Sequence, residues 1–216
     1  MKHRTATEPP DKPDPGLALE RALEIPVCFL LLLFLAPMML IIASVIVVDG
    51  GPALFKQERI GRGGRTFTCF KFRTMVVDAE RRLQMFLDRD SRARAEWSRD
   101  HKLRYDPRIT AFGRFLRRSS LDELPQLFNV LRGDMSLVGP RPIVEAEAAR
   151  YGRRFQSYCS VRPGITGLWQ VSGRTNISYR RRVAMDVLYV RRRNIVLYVW
   201  LILATIPAVL ARRGAH

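Results

Sequence analysis

The sequence predicts an α/β (α+β) protein, a small and mostly helical domain with one β-hairpin, flanked by two membrane-associated helices. Three observations lead to this fold. Residues 25–48 form an uncharged run as long as a membrane helix, residues 54–72 alternate around a glycine turn, and charge-rich segments with helical spacing follow. The expected units are a polar, proline-rich, disordered tail at 1–16, a membrane helix at 17–50, a domain at 51–193 and a membrane-associated helix at 194–216.

The chain is strongly basic, with 37 lysine and arginine residues against 20 acidic residues and a formal net charge of +17. Such a balance favours polyanionic partners, either nucleic acid or the anionic face of a bilayer. The apolar run favours the bilayer. The three cysteines, Cys28, Cys69 and Cys159, are widely spaced without a CxxC pair, so the sequence indicates neither a disulfide framework nor a zinc site.

The first apolar segment carries Pro37 at its midpoint and similar positive charge on both flanks. Because the two flanks carry similar positive charge, the positive-inside rule does not identify which end of the segment lies outside the cell. A proline inside a helix removes a backbone hydrogen bond and bends the helix. These residues are consistent with two arrangements, a re-entrant helix that enters and leaves by one membrane face and a kinked helix that spans.

After the membrane segment, apolar and polar residues alternate along the chain. Leu54–Ile60 and Thr66–Phe72 flank a Gly61–Gly64 turn, which predicts a β-hairpin. One face of the second strand begins apolar and ends with the cations Lys71 and Arg73. Two interpretations are open for these cations, contact with a phosphate or a solvated position that guards the strand edge.

Several later segments are predicted to be structural helices. Residues 76–103 are charge-rich with apolar residues at helical spacing, and residues 144–158 and the chain from Tyr179 also favour helix. Asp106 and Asp134 are weaker candidates for site acids, because aspartates in such positions are typical of turns and caps.

Glycines punctuate residues 161–174, which predicts loops and a short strand. Trp169 within this run is expected to fill part of the core. Arg162 and Arg174 again leave two interpretations, contact with a phosphate or a solvated surface position.

The last apolar run, Ile195–Ala211, contains Pro207 and no charge. It is short for a membrane span and long for an interfacial helix. Tyr198 and Trp200 suit the headgroup boundary, so an interfacial helix is expected, with a second span as the alternative.

The central feature of the chain is a pair of adjacent carboxylates, Asp122 and Glu123, before Pro125 and an apolar helical pattern that ends at Arg132–Gly133. The acids therefore lie at a helix start. Ser120 makes a capping box one explanation for them. In that register, however, Pro125 would be the fifth helical residue and would cost a backbone hydrogen bond.

A helix that starts nearer Asp122 tolerates Pro125 in its first turn and places Asp122 beside unpaired backbone amides. Arg117 precedes the acids, and Arg141 follows them within Gly139–Pro142. Two acids between arginine-bearing turns indicate a metal and a phosphate.

Three blocks of the sequence occur in a fixed order: FKFRTM at 70–75, SSLDELPQLFNVLRGDMSLVGPRP at 119–142 and VRPGITGLWQVSGR at 161–174. Together they closely resemble the bacterial sugar transferases, and more narrowly the monotopic phosphoglycosyl transferases. The resemblance runs from the first apolar segment to the last twenty residues. It also favours the re-entrant arrangement, because the family has such a helix with a small residue before the proline.

The resemblance implies a two-step transfer. Asp122 attacks the β-phosphate of a UDP-sugar, UMP leaves, and a covalent aspartyl-phosphosugar forms. The phosphate of undecaprenyl phosphate then accepts the phosphosugar, as the first membrane step of exopolysaccharide or related glycoconjugate synthesis. The GLWQVSGR block is most similar to members that transfer glucose or galactose phosphate.

The resemblance also implies the site, its partners and its location. The catalytic residues are Asp122 and Glu123, which also bind Mg²⁺, and the substrate-binding residues are Lys71, Arg117, Arg141 and Pro142. The expected partners are the UDP-sugar, undecaprenyl phosphate and anionic membrane lipid, and not nucleic acid; the oligomeric state is open between a monomer and a homodimer. The domain is expected on the cytoplasmic face of the bacterial inner membrane.

A second class of function uses the same basic charge without chemistry, namely a membrane-tethered adaptor for polyanions. Composition alone does not separate the two classes. The acidic pair favours the enzyme, because such an adaptor gains nothing from two carboxylates among its arginines. Phosphoryl transfer, in contrast, needs a metal site and cations together.

Overall fold

The structure is a computed structural model that describes residues 15–100, 103–172 and 177–210. It is mostly helical, as predicted. The helices are α1 (Pro15–Val47), α2 (Ala79–Arg89), α3 (Ser91–Asp100), α4 (Ala111–Ser119), α5 (Gln126–Arg132), α6 (Glu145–Tyr151), α7 (Phe155–Cys159), α8 (Leu168–Val171), α9 (Tyr179–Arg192) and α10 (Ile195–Leu210). The strands are β1 (Leu54–Ile60), β2 (Thr66–Phe72), β3 (Ser136–Val138) and β4 (Gly164–Thr166).

The predicted hairpin is confirmed with the same strand bounds. β1 and β2 pair antiparallel, with Leu54 opposite Phe72 and Ile60 opposite Thr66. The turn between them has a left-handed backbone, with φ of 70° at Gly63 and 74° at Gly64, a conformation that glycine adopts without steric cost. The short strands β3 and β4 pair in parallel and form a second sheet.

The first apolar segment forms one helix, α1, which continues through Pro26 and Pro37. Its stretch Ala18–Val47 is long and apolar enough to cross a membrane by length and composition, with a mean hydropathy of 2.9. The re-entrant arrangement stays a prediction. Residues 1–14, most of the predicted disordered tail, lie outside the described residues.

One face of α1 packs against the domain along most of the helix. The residues of this face recur at spacings of three or four; those that are buried are Glu20, Glu24, Cys28, Met39, Ile42 and Ile46. The other faces expose large apolar side chains, including Phe34, which is 80% exposed, and Leu40, which is 68% exposed. The helix therefore contributes to the core of the domain while it presents an extensive apolar surface outward.

The two halves of α1 pack on different parts of the domain. In the first half, Cys28 belongs to a buried cluster with Cys69 of β2 and Val130 of α5. In the second half, Ile42 packs in a cluster with Leu116 of α4. Each such side chain contributes about 1.5 to 3 kcal/mol when it is removed from water, so the hairpin, α4 and α5 depend on α1 for their core.

A buried carboxylate fastens α1 to two distant segments. Glu24 is 1% exposed, and its Oε1 accepts hydrogen bonds from the Ser136 hydroxyl, the Leu137 amide (3.0 Å) and the Tyr198 hydroxyl (2.7 Å). An Arg21 guanidinium nitrogen lies 3.5 Å from its Oε2. These partners offset the large cost of burying a charge. Glu24 thus ties α1 to β3 and α10.

An arginine closes the other end of α1. Arg73 donates to both oxygens of Asp49, and also to the carbonyls of Ile46 (3.0 Å) and Pro52 (2.7 Å). It is 9% exposed. Neither interpretation offered for Arg73, a phosphate contact or a solvated edge cation, is therefore correct. A cation near the last carbonyls of a helix also suits the helix dipole.

The last helix, α10, also lies with one face on the domain. Tyr198 is 2% exposed and bonds Glu24, so its ring faces the protein interior, and its position at the headgroup boundary stays a prediction. Further along, the Thr205 hydroxyl shares a hydrogen bond of 2.8 Å with the Thr166 hydroxyl of β4. On the outward face Trp200 is 52% exposed and Val196 is 75% exposed.

The predicted structural helices are confirmed. α2 and α3 share a small apolar cluster centred on Leu83 and Leu87. Residues 144–158 form α6 and α7, which are separated at Gly152, where φ is 52°. Trp169 is 9% exposed and fills the core as expected.

The weaker acid candidates are turn residues, as predicted. Asp106 accepts from the Arg108 amide at 3.0 Å and pairs with the Arg108 guanidinium at 2.7 Å. Asp134 accepts from the Asn129 side-chain amide at 3.3 Å, beyond the end of α5. Arg162 donates to the Gly133 carbonyl at 2.9 Å, so it caps α5. Arg174 lies outside the described residues.

We expect Glu24→Ala to leave two hydroxyls and one amide without their buried acceptor, at about 1 to 3 kcal/mol each. The free energy of unfolding should fall by about 3 kcal/mol or more, which lowers the Tm of a chain of this size by roughly 6 to 12 °C. Thermal unfolding of the detergent-solubilised chain measures the shift. Glu58 on β1 is exposed, so Glu58→Ala is the control and should change the Tm by no more than about 2 °C. An unchanged Tm in Glu24→Ala would contradict the anchoring role.

Candidate active site

The acidic pair lies in a short 3₁₀ turn, Leu121–Glu123, between α4 and α5. α4 ends at Ser120, whose φ of 57° makes it the one non-glycine residue with a left-handed backbone in the described ranges. This conformation reverses the chain within one residue, at a cost of about 1 to 3 kcal/mol. The Ser120 side chain makes no capping hydrogen bond to the turn, so the capping-box explanation of the acids is wrong.

Helix α5 begins directly after Pro125, which has φ of −61° and occupies the flanking position before Gln126. The helix thus starts four residues later than the predicted start near Asp122. At this position Pro125 needs no intrahelical amide bond, so it fits without strain. The helix ends as predicted at Gly133, where φ is 87°. Asp122 lies within the 3₁₀ turn before α5 and not at the first residue of the helix as expected.

Glu123 is the point where three segments meet. The Lys71 ammonium nitrogen lies 2.6 Å from Glu123 Oε1, and an Arg141 guanidinium nitrogen lies 3.5 Å from the same oxygen. Lys71 comes from β2, and Arg141 follows β3. The structure therefore brings these two predicted substrate-binding residues together beside the acids.

A small cavity opens at this meeting point. Its lining includes Arg59, Lys71, Glu123, Arg141, Pro142 and Gly164. The Pro142 carbonyl accepts a hydrogen bond of 3.0 Å from Arg59. Sequence reasoning missed Arg59, whose position in an alternating strand resembled that of any surface cation. Three cations around one carboxylate give the cavity a positive balance that suits a phosphate.

The third predicted cation, Arg117, is half-buried on α4. Its Nε donates to the Thr74 hydroxyl at 2.9 Å. α4 approaches this segment closely at Gly113, where an added Cβ would lie 2.0 Å from the Thr74 carbonyl oxygen. The positive charge of Arg117 lowers the pKa of Asp122. The hydrogen bond to Thr74 holds one side of the Arg117 guanidinium in place.

Asp122 is half-buried, and within the described residues its carboxylate accepts no hydrogen bond. Burial is the largest cause that raises its pKa, and the negative charge of Glu123 adds to it. Lys71, Arg117 and Arg141 act in the opposite direction, and the net pKa is about 6. The group is therefore ionised above about pH 6 and more basic than an ordinary carboxylate, which favours a nucleophile.

Asn129 positions the acids against the hairpin, and sequence reasoning missed it. Its side-chain oxygen accepts from the Phe70 amide at 3.0 Å and its amide donates to the Thr68 carbonyl at 2.7 Å. The residue is 0% exposed. Because these bonds fix α5 to the backbone of β2, they set the distance between Glu123 and Lys71. An asparagine inside an apolar helical pattern is the one signal that the sequence offered.

The acids form a pair, since no group of three or more His, Cys, Asp or Glu side chains gathers in the part of the chain that the structure describes. Two adjacent carboxylates fit Mg²⁺, which usually takes one or two carboxylates from a protein and completes its shell with water and substrate phosphates. Glu123 already pairs with Lys71 and Arg141, so the donor set suits a metal shared with a substrate better than a closed protein site.

Comparisons with known proteins agree on one family. A family model described as bacterial sugar transferase matches residues 16–212. The chain is 48% identical to the undecaprenyl-phosphate galactose phosphotransferase of Salmonella typhimurium over 92% of its own length. It is 43% identical to the exopolysaccharide production protein ExoY of Sinorhizobium fredii, over 91% of this chain and 88% of that protein.

A further relative is the UDP-glucose:undecaprenyl-phosphate glucose-1-phosphate transferase of Caulobacter vibrioides. The two chains are 38% identical over 96% of this chain and 76% of the relative. The chain spans 42% of the length of the Salmonella protein and of two other relatives at 46% and 49% identity.

We expect Lys71→Met to raise the pKa of Asp122 above its value of about 6, because the lysine charge favours the ionised carboxylate. The carbon-13 chemical shift of the Asp122 carboxyl, followed against pH in detergent micelles, measures the midpoint. Lys56→Met is the matched control, since Lys56 is exposed on β1. A wild-type midpoint near the ordinary value of 3.8 would contradict the burial of the carboxylate.

Proposed function

Since the chain belongs to the bacterial sugar transferase family, we propose that it is a phosphoglycosyl transferase. It moves a hexose-1-phosphate, glucose or galactose phosphate, from a UDP-sugar to undecaprenyl phosphate and releases UMP. Relatives are named for this acceptor and for these two sugars. The observation that carries the proposal is the half-buried Asp122 carboxylate of raised pKa, set beside Glu123 and three cations.

In the first step an Asp122 carboxylate oxygen attacks the β-phosphorus of the UDP-sugar. The new bond is an acyl phosphate, the bond from the β-phosphorus to the bridging oxygen breaks, and UMP leaves with the electron pair. Nucleophile and diphosphate are both anions, so the approach requires compensating charge. Lys71, Arg117 and Arg141 supply that charge and also lower the pKa of Asp122.

In the second step the phosphate of undecaprenyl phosphate attacks the phosphorus of the aspartyl ester. A diphosphate forms, the acyl phosphate bond breaks, and the Asp122 carboxylate returns to its ionised form. The raised pKa serves both steps, because a carboxylate of pKa about 6 is a better nucleophile than an ordinary one yet still leaves as an anion at neutral pH.

Glu123 has a different role from Asp122. Successive residues of a 3₁₀ turn point about 120° apart, so the two side chains do not do identical work. Glu123 holds Lys71 and Arg141 at the cavity. Mg²⁺, when held by Asp122, Glu123 and the substrate phosphates, neutralises charge on the diphosphate and the leaving group.

The membrane arrangement that fits this chemistry is a re-entrant α1 with the domain on the cytoplasmic face. The midpoint residues Leu32 and Leu35 pack against domain residues of β2 and α5. In a helix perpendicular to the bilayer these contacts would draw the hairpin and α5 into hydrocarbon, where their polar groups are costly. A bent helix keeps its packed face on the domain and its apolar faces in lipid.

Helix α10 completes the membrane surface as an interfacial helix. Its buried face contacts the domain through Tyr198 and Thr205, and its outward face exposes Trp200 and neighbouring apolar residues. A second span would have to abandon both contacts. Asp122 then faces a lipid phosphate at the headgroup plane, and anionic lipid attracts the basic domain to that plane.

Asp122→Asn tests the nucleophile. The amide keeps the shape but does not attack phosphorus, so UMP release from UDP-glucose or UDP-galactose and covalent labelling by the phosphosugar should fall by at least about 1,000-fold. Asp134→Asn, a change of the same type at a turn, is the control and should retain activity. Turnover of the Asp122→Asn chain near the wild-type rate would remove Asp122 from this role. Absence of UMP release from the wild type would favour the adaptor instead.

Arg141→Lys tests phosphate recognition. A lysine keeps the charge but loses the bidentate grip of a guanidinium held between two prolines, so kcat/KM for the UDP-sugar should fall by about 10- to 100-fold. Arg114 is exposed on α4, which makes Arg114→Lys a matched control with unchanged kcat/KM. Equal kinetics in both variants would assign Arg141 to the turn alone.

Thiol labelling tests the topology. In a Cys159→Ser background, cysteines introduced as Thr5→Cys and Arg62→Cys should both react with a membrane-impermeant reagent from the cytoplasmic side. Pro37→Leu restores a straight apolar helix long enough to cross, so Thr5→Cys should then react partly from the other side. Reaction of Thr5→Cys only from the periplasm, with Pro37 in place, is the result that would refute the re-entrant helix.

A further inference from the structure

A second concave surface, the arginine groove, opens between α6 and the start of α9. Its lining includes Arg150, Tyr151, Arg153, Arg154, Tyr179 and Arg180. None of the residues that line it belongs to the cavity at Glu123. The groove is therefore separate from the site proposed for the transfer reaction.

The groove concentrates positive charge without compensation from the described residues. Arg150, Arg153, Arg154 and Arg180 are all exposed. Arg153, Arg154 and Arg180 form no ion pair with any residue in the ranges 15–100, 103–172 and 177–210. Neighbouring guanidinium groups repel one another, so a bound anion would stabilise this arrangement.

Aromatic faces hold two of the guanidinium groups in this region. Arg150 lies 4.9 Å from the centroid of the Tyr179 ring, and Arg182 lies 5.3 Å from the same ring and 4.7 Å from the Trp169 ring. A guanidinium that stacks on a ring keeps the N–H groups of its edge available as donors. Arg150 is thus oriented by a ring and not by a carboxylate.

The polar groups around the groove leave capacity for a ligand. The Tyr179 hydroxyl is buried and has no hydrogen-bond partner among the described residues. Two nearby acids already have partners other than the groove arginines, since Asp186 accepts from the Tyr151 hydroxyl at 2.7 Å and Glu147 accepts from the Val144 amide at 3.2 Å. The groove thus offers donors without acceptors of opposite charge.

We propose that the arginine groove is a second binding site of the chain and that its ligand carries a phosphate group. A planar guanidinium donates two parallel hydrogen bonds to a pair of phosphate oxygens. The four arginines of the groove offer more donors than one carboxylate can accept, which favours a phosphate as the ligand. Two sources carry this chemistry, the headgroup phosphate of an anionic lipid and a soluble phosphate compound. The site is independent of the Asp122 chemistry.

The test uses inorganic pyrophosphate as the probe and calorimetric titration of the full chain in phosphatidylcholine nanodiscs. The groove variant is Arg153→Gln, Arg154→Gln and Arg180→Gln together. The control variant, Arg81→Gln, Arg89→Gln and Arg92→Gln, removes the same charge from exposed positions on α2 and α3. We expect the groove variant to bind pyrophosphate at least about tenfold more weakly than the control at one site, while the site at Glu123 remains.

A second arm separates the sources by repeating the titration in nanodiscs that contain phosphatidylglycerol. If the lipid headgroup occupies the groove, phosphatidylglycerol should weaken the binding of pyrophosphate to the wild type more than it weakens the binding of pyrophosphate to the groove variant. If a soluble phosphate compound is the ligand, both proteins should respond equally to the lipid. Equal pyrophosphate affinity and stoichiometry for the groove and control variants in phosphatidylcholine would overturn the proposal, and equal thermal unfolding of both confirms that they are folded.

Discussion

One buried carboxylate, Glu24, constrains the whole arrangement. A charge that is 1% exposed is tolerable only where several donors meet it, and here the donors come from β3 and α10. Satisfying Glu24 therefore sets how the first and last helices lie on the domain. Since β3 leads directly into the segment that carries Arg141, the same contacts that hold the first and last helices on the domain also fix one wall of the candidate active site.

The active site depends on positioning more than on unusual residues. Ser120 reverses the chain so that the acids follow α4 without a loop, and Asn129 binds the backbone of β2 at Phe70, the residue before Lys71. The left-handed backbone of Ser120 costs conformational free energy. The buried amide of Asn129 needs hydrogen-bond partners in specific positions. Together they bring Glu123 into contact with Lys71 and Arg141, and burial beside Glu123 raises the pKa of Asp122.

Short sequence patterns predicted those features that depend on neighbouring residues alone. The hairpin bounds follow from alternation and a glycine turn, and the end of α5 follows from Gly133. The start of α5 is a local failure, whereas two other features depend on partners chosen across the chain. Tyr198 looked like a headgroup residue because aromatic residues near apolar runs often are, and Arg73 looked like a phosphate ligand because it follows Lys71. Nothing within a short window identifies Glu24 or Asp49 as their partners, since those contacts exist only once the helices have packed.

The contacts of Glu24 also set an order for biosynthesis. Its partners Ser136 and Tyr198 lie 112 and 174 residues further along the chain. A ribosome adds about 5 to 20 residues per second, so the apolar helix is synthesised many seconds before the hydroxyls that donate to its carboxylate exist. During that interval Glu24 lacks the two hydroxyl donors that it has in the folded chain. The first helix therefore reaches its final contacts only after the last helix has been made, and a chain truncated before Tyr198 lacks the final donor.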